Sequence, residues 1–153
     1  MYRRSAPRTM LKDTAEPTRE IPGKMPEILV VYPGFPVSAK WAYQALNADI
    51  IGKGKTVVPE DYAAAFADPY HADWEELVRN DLAVALWKKF PLCRMLKRFI
   101  MERGAWCVQV SGSGSSLFAL FGDAQTAMMC AGALRQSRFG NSCTRIFTGG
   151  KEW

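Results

Sequence analysis

The spacing of hydrophobic residues changes several times along the chain, and each change predicts a different element. Residues Glu27–Tyr32 (EILVVY) form a short, β-branched run stopped by Pro33 and Gly34, which predicts a strand buried on both faces. Ser38 is then placed to cap a short helix through Trp41, Tyr43 and Leu46, its hydroxyl accepting an otherwise unpaired N–H of the first turn. Ala48–Val58 holds Gly52, Gly54, Lys53 and Lys55 without periodicity and reads as a loop. Pro59 opens a helical stretch, Asp68-Pro69 breaks it, and Ala72–Lys89 resumes helix through Trp74, Leu77, Val78, Leu82 and Leu86. After Pro91, Leu92, Met95, Leu96, Phe99 and Ile100 recur at helical spacing opposite Arg94, Lys97, Arg98 and Arg103, and Gly104 supplies the stop.

The period then shortens to that of strands. Ala105–Val110 and Ser116–Phe121 predict a hairpin around the turn Gly112-Ser113-Gly114-Ser115. Asp123 can cap a final helix carrying Ala127, Met128, Ala131 and Leu134, and Cys143–Thr148 predicts a last strand. Two βαβ-like halves joined by a hairpin give an α+β fold, a ferredoxin-like βαββαβ sandwich with extra helices. The second hairpin strand is apolar both ways, with Leu117, Ala119 and Phe121 on one side and Phe118 and Leu120 on the other. One-sided sheets alternate with polar residues, so helices are expected on one face and another domain or subunit on the other. Leu11–Pro26 is polar and carries Pro17, Pro22, Gly23 and Pro26, so residues 1–26 read as an extended N-terminal arm or linker remnant and 27–153 as the folded domain.

A chain of 153 residues with 48% hydrophobic residues has the size and apolar content of one ordinary domain. Its apolar runs fall far short of the ~20 residues needed to span a bilayer, so no membrane partner is expected. Arg3, Arg4, Ser5 and Arg8 without an acid superficially resemble a transit peptide, but the stretch lacks an amphipathic pattern, and a chain cut inside a larger protein accounts for it better. Cys93, Cys107, Cys130 and Cys143 are widely spaced with no CxxC pair, and His71 is the only histidine, so no metal site is expected and the thiols read as reduced core residues. His71, in a loop-like DPYHAD context, reads as solvated. The net charge of +5 suits an anionic ligand without choosing among nucleotide, nucleic acid and membrane surface. Lys88, Lys89, Arg94, Lys97 and Arg98 are grouped as a solvated helix face would be.

The segment SGSGSS at Ser111–Ser116 has the most chemical character, because glycines let backbone N–H groups surround an anion. It carries no lysine and lies between two strands rather than before a helix, which excludes a P-loop. A plain hairpin turn and a phosphate-proximal loop both stay open on the motif alone. Trp41 and Tyr43 follow a Pro-Gly turn, where a ring can stack on a base or belong to the core. Asn80-Asp81, where two helical patterns meet, reads as a helix cap or interhelical hydrogen bond.

Taken together, VYPGFPVSAKWAYQAL (Val31–Leu46), VRNDL (Val78–Leu82), Phe90-Pro91 and GAWCVQVSGSGSSLFALF (Gly104–Phe121) resemble, in order and spacing, the C-terminal half of the 4-diphosphocytidyl-2-C-methyl-D-erythritol kinases of the GHMP superfamily. The resemblance runs from Glu27 to Leu134. It implies a GHMP kinase C-terminal, substrate-side domain in an enzyme that phosphorylates the 2-hydroxyl of its substrate in non-mevalonate isoprenoid synthesis, in a bacterial cytoplasm or plastid stroma. It implies that Ser111, Gly112, Ser113, Gly114 and Ser115, the third GHMP motif, lie beside the nucleotide and substrate phosphates, and that Tyr43 stacks on the cytosine of a cytidine-diphosphate-linked substrate. Ala39 departs from the threonine usual there, and Ser38 is expected to take over the cap. The lysine-containing strand, the PxGxGLGGGSS-type phosphate loop and the catalytic aspartate have no counterpart in this sequence. The resemblance therefore implies no catalytic residue here, ATP and Mg2+ bound only in the complete enzyme, a separate N-terminal kinase domain as partner, and an isolated chain that is inactive. The alternative is a non-catalytic ferredoxin-like binding module for nucleotide or RNA. CVQV and SLFALF lack the aromatics with neighbouring Lys or Arg that an RNA-recognition sheet shows, so nucleic acid is not the expected partner.

Overall fold

The computed structural model describes residues 9–11, 17–20, 26–46, 51, 54–139, 145–148 and 151–152. Within the N-terminal stretch, β1 (Thr9–Leu11) and β2 (Pro17–Glu20) pair as an antiparallel two-stranded sheet. The main sheet begins at β3 (Glu27–Tyr32), the run that the β-branched pattern predicts. Five helices follow: α1 (Ala39–Gln44), α2 (Pro59–Ala67), α3 (Trp74–Leu77), α4 (Leu82–Lys89) and α5 (Pro91–Met101). The hairpin β4 (Cys107–Val110) and β5 (Leu117–Phe121), helix α6 (Ala124–Gln136), and strands β6 (Arg145–Thr148) and β7 (Lys151–Glu152) complete an α+β fold. Neighbours in the sheet run β4-β5-β3-β6-β7, each pair antiparallel. Of the expected last strand, Cys143 lies outside the described residues.

Local chemistry sets the helix ends. The Ser38 hydroxyl accepts the Trp41 N–H at 3.3 Å, so Ser38 caps α1 as expected. Asp123 caps α6 by accepting from the Thr126 N–H at 2.8 Å. Pro91 starts α5, where its missing N–H costs nothing, and the chain leaves that helix through Gly104 at φ +88°, a left-handed conformation that favours glycine. The helix predicted over Ala72–Lys89 is two helices, α3 and α4. Residues Val78–Asp81 separate them because the Asn80 side chain, instead of facing solvent from a continuous helix, bonds to the following turn and to the β4–β5 hairpin.

Alternation along the strands sends two sets of residues to opposite faces of the sheet. Leu29 and Val31 of β3, Val108 and Val110 of β4, and Leu117, Ala119 and Phe121 of β5 form one fully buried face. Leu86 of α4, Cys93, Leu96 and Ile100 of α5, and Ala127, Cys130, Ala131 and Leu134 of α6 cover it as one core. On the opposite face, Cys107 and Leu120 are buried under Ala65 of α2 and Trp74 of α3. The indole of Trp74 stacks on Trp106 with centroids 5.6 Å apart, and its N–H donates to the Pro69 carbonyl at 2.7 Å. The second face is thus partly covered by the chain's own α2 and α3 rather than wholly left for a second domain, because the apolar stripe of that helical stretch folds back over β4 and β5. Farther along this face Phe118 and Val30 are half-buried, and Ile28 is 45% exposed. Among the described residues, no helix is long and apolar enough to cross a membrane.

Candidate functional site at the glycine-rich hairpin loop

The loop between β4 and β5 is built from left-handed glycines and held from two sides. Gly112 has φ +59° and Gly114 φ +87°. A Cβ on Gly112 would meet nothing within 4 Å, whereas one on Gly114 would stand 2.2 Å from Cδ1 of the fully buried Leu86. Gly114 is therefore required by both backbone and packing, and Gly112 by backbone alone. The Ser111 N–H donates to the Ser116 carbonyl at 2.9 Å and the Gly114 N–H to the Ser111 carbonyl at 3.1 Å, closing the turn. Among the described residues, the N–H groups of Gly112, Ser113 and Ser115 have no hydrogen-bond partner. Ser115 is buried, but the open amides of Gly112 and Ser113 on a glycine-rich turn suit an anionic oxygen.

Two side chains fix this loop to the rest of the fold. Asn80, between α3 and α4, donates through Nδ2 to the carbonyls of Val110 at 2.9 Å and Gly112 at 2.8 Å, while its Oδ1 accepts the Leu82 N–H at 3.0 Å. The buried Ser115 hydroxyl donates to the Phe35 carbonyl, joining the loop to the segment between β3 and α1. Phe35 packs on Phe90 at 5.1 Å, Phe90 meets Trp41 edge-on at 5.7 Å, and the Lys89 ammonium lies 4.2 Å above the Trp41 ring. Trp41 thus belongs to an aromatic cluster that backs the loop. Tyr43, two residues on, is 64% exposed on α1 and is the ring this corner leaves open to a ligand.

Asn80 also lines a cleft of about 510 Å³, together with Lys55, Tyr62, Glu76, Arg79 and Asp81 among others. Its charges are largely paired with one another: Arg79 Nε donates to Asp81 at 2.8 Å, and Lys55 Nζ to Asp61 at 3.0 Å. The Val58 N–H and the Lys55 ammonium both donate to the Asp61 carboxylate and hold it below the usual carboxylate range. The cleft is polar but brings no concentrated positive charge to the loop, so the loop's own amides are the features suited to an anion.

The structure gathers Ser111, Gly112, Ser113, Gly114 and Ser115 on one turn, exposed at Ser111 and Gly112 and buried at Ser115, and ties them, through Ser115 and Phe35, to the segment leading into the helix of Tyr43. The residue at this loop that sequence reasoning underrated is Asn80. Its capping bond was expected, but its two bonds to the hairpin were not, and the available signal was a polar pair interrupting two apolar helical patterns. His71 is exposed in its loop, beside Asp68 at 2.9 Å. Cys93, Cys107 and Cys130 are free and buried, and Cys143 lies outside the described residues. Burial pushes the Cys93 and Cys130 thiols up to about 11; burial and the nearby Glu75 charge push Cys107 up to about 12. These thiols are core groups rather than nucleophiles.

No family model matches the chain. A 4-diphosphocytidyl-2-C-methyl-D-erythritol kinase of Geobacter sp. (strain M21) is 33% identical over 111 residues, covering 72% of this chain. Among solved structures, a 4-(cytidine 5'-diphospho)-2C-methyl-D-erythritol kinase superposes with a TM-score of 0.64 at 22% identity, over 92% of this chain and 46% of that one. The mevalonate kinase of L. major superposes with a TM-score of 0.58 at 13% identity, over 85% of this chain and 44% of that one. These superpositions establish a shared fold. The chain spans 37% of the Geobacter relative's length. Over most of its own length, then, the chain is homologous to part of the 4-diphosphocytidyl-2-C-methyl-D-erythritol kinases.

Proposed function

We propose that this chain is the C-terminal, substrate-side portion of an ATP-dependent kinase acting on the 2-hydroxyl of 4-diphosphocytidyl-2-C-methyl-D-erythritol. The observation that carries the proposal is the 33% identity to a kinase of that name over 72% of the chain. The strand order β4-β5-β3-β6, antiparallel throughout, supports reading residues 27–153 as the ferredoxin-like domain of a GHMP kinase, with residues 1–26 outside it. The open amides of Gly112 and Ser113 support a place for the loop beside phosphate oxygens, and the exposed ring of Tyr43 supports stacking on cytosine. ATP with Mg2+ would supply the transferred phosphoryl group and the counter-charge for its transfer. In this chain the residues fitted to such a ligand are the loop amides, which donate to phosphate oxygens and orient them.

In the proposed reaction a new bond forms between the substrate 2-hydroxyl oxygen and the γ-phosphorus of ATP, the bond to the β-γ bridging oxygen breaks, and ADP leaves. The hydroxyl proton passes to a base on an N-terminal kinase half. Transfer of this kind depends largely on positioning and electrostatic stabilisation, so a domain that holds the substrate contributes without supplying the base. The reaction would belong to non-mevalonate isoprenoid synthesis in a bacterial cytoplasm or a plastid stroma. The test assays phosphorylation of the cytidine substrate by this chain alone and after addition of a separately expressed N-terminal half from a relative. No turnover alone and measurable turnover in the mixture are expected. Robust ATP-dependent turnover by this chain alone, or a well-folded and associated pair with no turnover, overturns the proposal.

A further inference from the structure

We infer that Asn80 is a positioning residue for the glycine-rich loop, holding Ser111–Ser115 in the shape that turns the amide of Ser113 outward; the inference deepens the phosphate-facing reading of that loop and rests on it for its functional meaning. A carboxamide has two N–H donors and one carbonyl acceptor. Asn80 uses both ends at once: Nδ2 donates to the Val110 carbonyl at 2.9 Å and the Gly112 carbonyl at 2.8 Å, while Oδ1 accepts from the Leu82 N–H at 3.0 Å. The two carbonyls belong to the Val110–Ser111 and Gly112–Ser113 peptide groups, so the bonds fix the planes before and after the Ser111–Gly112 peptide, where strand β4 becomes the loop. A peptide group is planar, and drawing the Gly112 carbonyl toward Asn80 sends the N–H of Ser113, on the same peptide plane, the opposite way. The open amide of Ser113 therefore follows from where Asn80 pulls. Ser115, bonded to the Phe35 carbonyl, anchors the other end of the loop. Asn80 is fixed in turn by its place at the break between α3 and α4, where its own carbonyl accepts the Ala83 N–H at 3.0 Å.

The geometry allows the positioning role to be separated from the capping role in one substitution. Asn80→Asp keeps an oxygen to accept the Leu82 N–H but, when ionised, has no donor for Val110 or Gly112, and it sets a carboxylate against two carbonyl oxygens. Those oxygens raise the pKa of the introduced acid, and on protonation it regains one donor. The charged groups facing this position are its neighbours Arg79 and Asp81, with Glu76 and Lys55 across the cleft. The wild-type chain at each pH is the control for their titration.

The experiment records backbone amide spectra of the full chain, wild type and Asn80→Asp, from neutral pH down to about 4.5, a range that spans ordinary and raised carboxylate pKa values. Inorganic pyrophosphate is then titrated into each. At neutral pH the variant should shift the Gly112, Ser113 and Gly114 amides while those of α5 and α6 stay in place. Lowering the pH should move the loop amides back toward wild type, a recovery that simple destabilisation does not give. Pyrophosphate affinity should fall about tenfold at neutral pH, the equivalent of about one hydrogen bond in the positioned array. Loop amides that match wild type at neutral pH, or that shift and do not recover on protonation, overturn the inference. If the carboxylate prevents folding, Asn80→Ala removes the donors without adding charge, and unshifted loop amides in that variant overturn it equally. Absence of pyrophosphate binding by wild type counts against the phosphate-facing reading alone, since the loop shifts report the positioning role without any ligand.

Discussion

The two faces of the sheet are made from neighbouring residues of the same strands yet have different uses. The face carrying Leu29, Val31, Val108, Val110, Leu117, Ala119 and Phe121 is sealed by three helices and fully buried. The face carrying Ile28, Val30, Cys107, Phe118 and Leu120 is buried where α2 and α3 cross it, half-open at Phe118 and Val30, and open at Ile28. Burial of apolar surface is the main source of stability, so the first face carries the fold. The second face holds a thinner layer whose end, the α3–α4 break, carries Asn80 to the glycine-rich loop. The candidate site draws on both sides: Asn80 reaches the loop from the thinner one, while Gly114 lies against Leu86 of the sealed core.

The largest effect expected from this difference is between adjacent residues of β3. Leu29→Ala removes a fully buried side chain from a core that cannot collapse around it and should cost about 3 kcal/mol. Ile28→Ala, one residue away and facing outward, should cost less than about 1 kcal/mol. Urea unfolding of both variants checks the pair. Equal costs would mean that α2 and α3, or a further segment, close the second face in solution.

A somewhat smaller effect separates the two glycines of the loop. Gly114→Ala must accommodate a left-handed backbone and a methyl group 2.2 Å from Leu86, a residue of the sealed core, and should cost about 2–3 kcal/mol. Gly112→Ala meets only the backbone cost, about 1 kcal/mol. If thermal or urea unfolding ranks the two the other way, the loop is not seated on Leu86.

The thiols compare the two covers through pH. Cys130 faces the sealed core from α6 and is pushed up to about 11, whereas Cys107 lies under α2 and α3 and is pushed up to about 12 from an ordinary 9.0. Each ionises in the unfolded chain before it does in the fold, so the unfolded state loses its protons first as pH rises. The stability associated with protonated, buried thiols is fully present below about 9 and is lost progressively as the pH climbs toward the folded values. Each thiol contributes up to about 1.4 kcal/mol per pH unit to that decline. Cys107→Ala and Cys130→Ala should each make the decline shallower when urea unfolding is followed from neutral pH to about 10.5. A Cys107→Ala variant with the wild-type slope would show that the α2–α3 cover admits water to the sheet.

Much of this architecture was legible because periodicity and capping act locally. The β-branched run of β3, the apolar stripe of α5 and the caps Ser38 and Asp123 specify their elements within a few residues. The double apolar character of Leu117–Phe121 also revealed that both faces of that strand are covered. What covers the second face was not legible, because the spacing of Trp74 and Leu77 gives a helix a buried side without saying which sheet face it meets. The glycine-rich loop was legible as a turn from its glycines, while the Asn80 contact spans some thirty residues of sequence and leaves only an interrupted helical pattern as its trace. The break between α3 and α4 and the positioning of the loop are one event, and a reading of local propensity extends the helix through it.

The smallest effect on the fold is expected at Tyr43, and it separates the site from the scaffold most cleanly. Its neighbour Ala42 is buried and Trp41 is locked against Phe90 and Lys89, but the Tyr43 ring is 64% exposed on a six-residue helix. Tyr43→Ala should therefore change unfolding stability by no more than about 0.5 kcal/mol, the usual range for an exposed position. If the ring stacks on cytosine, the same substitution in the kinase assembled with an N-terminal half should weaken the cytidine substrate about tenfold, as loss of a base-stacking aromatic does, and leave ATP affinity unchanged. Tyr43→Phe keeps the ring and should retain the affinity. Equal losses for both ligands in the alanine variant, or a drop in stability comparable to that of Leu29→Ala, would place Tyr43 with the scaffold and move the base-recognition surface elsewhere on the open side of the domain.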